Sequence, residues 1–282
     1  MNPAQLLAHF DRVAEAPDAV PHLRRFILDL AVRGKLVGQD PADEPASRLL
    51  QRLRAEKGTL VKAGEIKRPP LRKAGAHPHS LFDLPCGWIF TTIQDVCLSV
   101  ADGDHQPPPK SDAGIPFLVI GNVRSGSVDF AGCRYVPEAY FDSVDAARRP
   151  AKGDLLYTLV GSYGIPVLIK DDRPFCVQRH IGILRPLHEI NGNFLARVLE
   201  SSWVFDQATS CATGIAQKTV PLAGLRSMRI PLPPLSEQHR IVAKVDELMA
   251  LCDALEAELM NIAALRRQLL EATLHEALGG AL

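Results

Sequence analysis

The chain has 282 residues, of which 46% are hydrophobic, enough to bury the core of one large domain or two smaller ones. Lys and Arg together number 32, as do Asp and Glu, so the formal charge is zero. Overall basicity therefore gives no argument for nucleic acid, although a local basic face stays open. No apolar run reaches membrane-spanning length, and the N-terminus lacks the pattern of a secretory signal. The six cysteines (Cys86, Cys97, Cys133, Cys176, Cys211, Cys252) contain no C-x-x-C pair. They read as reduced thiols of a cytoplasmic protein, which argues against a disulfide framework or a zinc site.

In chain order, residues 1–80 form an N-terminal helical arm and a basic linker. Helical spacing links Leu6, Leu7 and Phe10, then Leu23, Phe26, Ile27 and Leu30, then Leu49, Leu50 and Leu53. Breaks fall at Pro17, Pro21, Gly34 and the turn from Asp40 to Pro45. The linker carries Lys62, Lys67, Arg68, Arg72 and Lys73 and is expected to lie exposed.

Residues 81–234 change character. Short β-branched and aromatic runs are predicted as strands over 88–93, 117–120, 155–160, 167–170 and 180–184. Turns at Asp102-Gly103, Gly126, Lys152–Asp154 and Gly161–Gly164 divide them, and a helix is predicted over 194–205. The fold class is α+β: one mixed domain flanked by the helical arm and by a long C-terminal helix of coiled-coil type. Pro231, Pro233 and Pro234 demand extended backbone before that helix. Ser236 is placed to cap it, with Glu237 and Gln238 in the first turn.

Within 235–282, Ile241, Val245, Leu248, Cys252, Leu255, Leu259 and Ile262 recur in steps of four and three. That heptad seam expects a partner helix. At the helical rise the element would be roughly 60 Å long, so it is expected to project from the globular block. Its outer face is acidic (Asp246, Glu247, Asp253, Glu256, Glu258), which favours protein contact over DNA contact. Laying Leu6 on Leu248 without gaps puts Leu6–Asp11 over Leu248–Asp253 and Leu23–Asp29 over Leu265–Glu271. Leu36 then falls on Leu278, so one helical element occurs twice, flanking a single domain.

Catalytic signatures are missing. There is no Walker loop, G-x-G-x-x-G, H-E-x-x-H or Asn-Pro-Pro-aromatic loop. Pro17-Asp18 with Glu65-Ile-Lys67 mimics a nuclease set, but the first sits in a helical arm and the second in a linker. Cys176 with His180 is a conceivable thiol–imidazole pair, and Asp102, Asp104 and His105 a conceivable metal set. Neither has an activating element beside it, and a buried thiol and a Gly-containing turn explain them. The chain reads as a binder without catalytic or metal residues and without a cofactor.

The segment from Pro231 through Ser236-Glu-Gln-His-Arg240 to Asp253 resembles the conserved region of specificity (S) subunits of type I restriction-modification systems. Leu28–Val37 with Gln39–Ser47 resembles the N-terminal region of that family. Leu84–Trp88 and Thr213–Lys218 resemble the lead-in and exit of its target recognition domain. The resemblance implies a sequence-specific DNA-binding subunit that directs adenine methylation by modification subunits, with a restriction subunit as a possible further partner. The usual subunit holds two recognition domains, whereas this sequence shows one block, 81–234. It therefore resembles a half-size form, for which a head-to-tail homodimer would restore two inverted half-sites.

Reading double-stranded DNA needs polar side chains that reach base edges and others that anchor phosphates. Candidate readers are Gln106, Lys110, Asn122, Arg124, Ser162, Tyr163, Gln178, Arg179, His180, Gln217 and Lys218, with Gly161 and Gly164 allowing close backbone approach. Arg148, Arg149 and Lys152 suit phosphates or plain surface. The competing readings are a thiol or metal-dependent hydrolase and a coiled-coil assembly protein whose central block binds protein only.

Overall fold

The computed structural model describes residues 18–67, 82–105, 107–124 and 126–279. Leu6–Asp11 of the repeat, Pro17, the linker cations Arg68, Arg72 and Lys73, and the candidate reader Gln106 lie outside the described residues. The chain divides into two units, residues 28–242 and residues 1–27 with 243–282.

The first helices are α1 (Ala19–Val32) and α2 (Ala46–Lys62). The α2 helix buries Ala46, Leu49, Leu50 and Leu53, the i, i+3, i+4, i+7 stripe that its sequence predicts. Then follow β1 (Ile89–Thr92), α3 (Ile93–Val96), β2 (Cys97–Asp102), β3 (Ile115–Leu118), β4 (Val123–Arg124), β5 (Ser127–Val128), β6 (Arg134–Val136) and α4 (Glu138–Ser143). The chain continues through β7 (Leu155–Thr158), β8 (Pro166–Leu168), β9 (Cys176–Val177), β10 (Ile181–Pro186), α5 (Gly192–Glu200), α6 (Ser202–Cys211), α7 (Leu222–Ser227), β11 (Arg229–Leu232) and α8 (Leu235–Gly279). The helix predicted over 194–205 is two helices, because Ser201 breaks it. Its backbone is extended and its hydroxyl caps α6 by accepting from the Val204 amide.

Two sheets carry the core of unit 28–242. One is antiparallel, in the order β2-β10-β7-β8; the other has the order β6-β3-β9, with β3 and β9 parallel. Pairing Phe117 with Cys176 and Leu118 with Val177 sends alternate residues to opposite faces. Leu118 and Val177 join Leu156, Val167 and Ile183 in one cluster, while Phe117 and Cys176 join Val136 and Val144 in another. The small sheet is thus apolar on both sides, and each such aliphatic side chain is worth roughly 1.5–3 kcal/mol of burial. Asp154, nearly sealed from solvent, takes a two-pronged ion pair from Arg185 (2.9 and 2.7 Å) and so ties the loop before β7 to β10.

The proline connector is itself a strand. β11 pairs antiparallel with β1, Ile89 facing Leu232 and Phe90 facing Pro231, so the way into the central domain and the way out lie side by side. Helix α8 starts at Leu235, which makes Ser236 a first-turn residue and not the cap. Glu237 and Gln238, the negative and polar residues expected in that turn, are buried. Glu237 accepts from Trp88 Nε1 at 2.9 Å and from Gln39 Nε2 at 3.0 Å. Gln238 accepts from the Asn191 amide (3.0 Å) and donates to the Pro233 carbonyl (3.2 Å). One turn on, Arg240 grips Asp43. Both buried polar side chains of this first turn, Glu237 and Gln238, are hydrogen-bonded, as burial requires.

In the other unit, Arg24 donates to Asp253 Oδ1 (2.5 Å) and Glu256 Oε2 (2.7 Å), so two carboxylates of the acidic face serve an interhelical contact. Of the heptad seam, Ile241, Val245 and Cys252 are buried and Leu248 is half-buried. Leu255, Leu259 and Ile262 are exposed, Ile262 by 58%, as are Leu265, Leu269, Leu274 and Leu278 beyond them.

Candidate nucleic-acid interface

Strand directions gather the loops at one end of the sheets. β10 begins where β2 and β7 end, Gly182 facing Asp102 and Ile181 facing Thr158. β9 ends beside the end of β3 and turns directly into β10 through Gln178, Arg179 and His180. The loop after β7 is tied to this turn by the Leu159 amide donating to the His180 carbonyl (2.9 Å). It is tied to residues 213–219 by Gly161 N to Lys218 O (3.0 Å) and Val220 N to Leu159 O (2.8 Å). Gly161, Ser162, Tyr163, Gln178, Arg179, His180, Gln217 and Lys218 therefore share one edge.

That edge is built rigidly. Thr213 and Thr219 exchange two backbone hydrogen bonds (2.9 and 2.7 Å), closing residues 214–218 into a tight loop. Gly214 has φ +100°, and a Cβ there would stand 2.4 Å from the Gln217 carbonyl oxygen, so only glycine fits. Gly164 (φ +95°) is likewise obligatory, but for packing: a Cβ would meet the Phe205 ring at 2.8 Å. The close approach expected of a phosphate at Gly164 is taken by an aromatic ring. Ile215, which the sequence reading passed over, is fully exposed in the 213–219 loop beside Gln217 and Lys218. Its isolation inside Thr213-Gly-Ile-Ala was the available signal.

Individual readers fare differently. Arg179, Gln217, Lys218 and Ser162 are exposed. Arg179 and Lys218 have no ion pair among the described residues. His180 is held below the ordinary imidazole value by burial and then by the Arg179 charge, which favours the neutral ring that can both donate and accept. Tyr163 is turned back on α6: its ring stacks on Phe205 (5.6 Å, 15°) and its hydroxyl donates to Thr209 Oγ1 (3.0 Å). Asn122 is turned into its own loop. Its Oδ1 accepts from the Val119 amide and its Nδ2 donates to the Asp129 carbonyl, both at 2.9 Å. Buried with its amide spent on its own loop, Asn122 shapes that loop and presents no free edge to a base. Arg124, on the β4–β5 hairpin, is exposed and leans on Asp129 (3.3 Å), and Lys110 is exposed on the segment before β3.

The catalytic alternatives lose their chemistry here. Burial pushes the Cys176 thiol up to about 11, the opposite of what a nucleophile needs. Asp102 is engaged by Arg148 (3.1 Å) and His105 (2.8 Å), and Asp104 accepts from the Tyr140 hydroxyl (2.8 Å). Among the described residues no group of three or more His, Cys, Asp or Glu could hold a metal ion. Nor is any helix among them long and apolar enough to cross a membrane.

The described residues thus give a small mixed α+β domain whose loops gather at one edge, followed in the chain by a long helix, and comparison with known proteins names the family. Residues 85–263 match the family model of the type I restriction modification DNA specificity domain. The chain belongs to this family. It is 33% identical over 268 residues to the EcoAI specificity subunit of Escherichia coli and 31% identical over 272 residues to the EcoEI specificity subunit of the same species. Each alignment covers 90% of this chain, but only 44% and 43% of those proteins, so the chain spans less than half the length of these relatives. In fold it resembles the HsdS subunit from Thermoanaerobacter tengcongensis (TM-score 0.50, 20% identity, 84% of this chain and 52% of that one). It also resembles a chain solved in work on complex assembly of the type I R-M system (TM-score 0.51, 20% identity, 87% and 56%).

Proposed function

We propose that this chain is a non-catalytic specificity subunit that reads double-stranded DNA and directs adenine methylation by partner modification subunits. The observation that carries the reading is the coincidence of the family-matched segment with the loop edge, where Arg179 and Lys218 stand exposed and, among the described residues, without an ion pair. Arg and Lys at such positions suit guanine O6 and N7 or a phosphate, and Gln217 suits adenine. Residues 81–234 serve as the target recognition domain, and residues 235–282 as the spacer and dimerisation helix. The test is a methylome of cells with and without the chain. Sequence-dependent adenine methylation should appear only with it, and should fall for Arg179→Ala although the complex still assembles. Unchanged methylation would favour the protein-only assembly reading.

For its own association we propose a head-to-tail homodimer through the long helix. Support comes from the Arg24 clamp on Asp253 and Glu256, whose repeat counterpart Arg266 stands on the exposed apolar stretch of α8. Light scattering of the chain with modification subunits present tests this, and a strict monomer would contradict it.

A further inference from the structure

β2 is the edge strand of the four-stranded sheet, and its outward carbonyls are capped by cations. Lys57 Nζ donates to the Gln94 and Cys97 carbonyls (both 2.6 Å). Arg226 donates through Nε and Nη2 to the Val100 carbonyl (3.1 and 2.6 Å). Arg148 Nη1 donates to the Gly103 carbonyl at 2.6 Å. Capping keeps a sheet edge from pairing with another strand. It needs only donors, however, and a neutral side chain would supply them.

Here the caps line a cavity of about 410 Å³ together with Lys67, Arg185 and the carboxylates Glu65 and Asp145. Lys67, Arg148 and Arg185 are ion-paired with Asp145, Asp102 and Asp154. Lys57 and Arg226 donate to carbonyls alone, so their charges meet no direct counter-ion. Burial lowers the pKa of both, as expected for cations held short of negative charge. Arg226 Nη1, Arg185 Nη1 and Arg148 Nη2 have no hydrogen-bond partner among the described residues. Ser99, also in the lining, has a hydroxyl without a partner. Lys67 sits at the rim, its side chain 90% exposed.

We infer that this cavity is a phosphate-binding site, seating a backbone phosphate of the DNA duplex bound at the loop edge. Several guanidinium forks around one concavity match a tetrahedral oxyanion better than a planar carboxylate. A backbone source, as opposed to a free phosphate, follows from continuity. Arg148 belongs to the cavity and also holds Asp102 and Gly103, where β2 runs out into the reading edge. The inference rests on the DNA-binding reading above.

The experiment measures affinity of the full chain, in its complex, for duplex carrying the methylome-defined target across a salt series. Lys67→Gln leaves the buried caps in place, and Arg226→Gln removes the charge of one of them. Each should weaken binding equally for target and non-target duplex and lower the slope of log K against log salt by about one. The pattern of methylated sites should stay the same. DNA binding with an unchanged slope in Lys67→Gln and in correctly folded Arg226→Gln would overturn the site. Saturable binding of inorganic phosphate, lost in Arg226→Gln while the slope is unchanged, would make the ligand a free phosphate and overturn the duplex assignment. Absence of DNA binding by the unaltered complex would instead remove the DNA reading itself, and this inference with it.

Discussion

The two ends of helix α8 treat their residues in opposite ways. At its start, Glu237 and Gln238 are polar and buried, and each of their groups is hydrogen-bonded to Gln39, Trp88, Asn191 or Pro233. Further along, Leu255, Ile262, Leu265 and Leu269 are apolar and exposed, Leu269 by 69%. The start is complete within one chain. The later part carries a helix-pairing pattern whose apolar face stays open among the described residues. A residue's type does not decide its burial; the presence of a matching surface does.

This contrast can be broken by substitution, beginning where the effect should be greatest. Glu237→Ala leaves the buried Trp88 indole donor without its partner and should cost about 2–4 kcal/mol in denaturant unfolding. A loss under 1 kcal/mol would mean that water replaces the carboxylate and that the helix start is not closed. Trp88→Phe removes the indole donor and part of the ring, and about 1–2 kcal/mol is expected from the same measurement. Arg24→Ala removes a partly exposed clamp on Asp253 and Glu256 and should cost only about 0.5–1 kcal/mol, less in high salt.

The paired change Leu265→Glu with Leu269→Glu should leave the unfolding free energy of the isolated chain within about 0.5 kcal/mol. Self-association by light scattering should fall sharply, and unchanged association would place the dimer contact elsewhere. The smallest effect concerns the loop edge. Because His180 titrates below its ordinary value, it costs stability only as pH falls through the unfolded value of about 6.5. Above that pH it is neutral in both states. Arg179→Ala removes the lesser of the two causes. The imidazole pKa followed by NMR should therefore rise and the acid-side loss shrink; an unmoved pKa would separate the two side chains.

Much of the strand and helix placement was legible because period and punctuation are local properties. The stripe Ala46, Leu49, Leu50, Leu53 and the strands around Thr91, Phe117, Leu155 and Ile183 follow from side-chain alternation and from Gly and Pro breaks. The candidate site was partly legible. Gly161, Arg179 and Lys218 stand on the shared edge, while Asn122 turned into its own loop and Tyr163 onto Phe205. Nothing local distinguishes an asparagine that reads a base from one that braces a turn, since both need the same short amide near a bend.

By itself the sequence determined that the proline connector is extended, that a long seam helix follows it, and that the motifs Gln39–Ser47 and Ser236–Arg240 belong to one family. Only the tertiary structure decided why the two motifs occur together. Gln39 meets Glu237 and Asp43 meets Arg240, so the two motifs supply each other's polar partners. Helical periodicity says which face of α8 is apolar, but burial requires a second surface of matching shape and charge. That surface covers Ile241, Val245 and Cys252, and among the described residues it leaves Ile262, Leu265, Leu269 and Leu274 exposed.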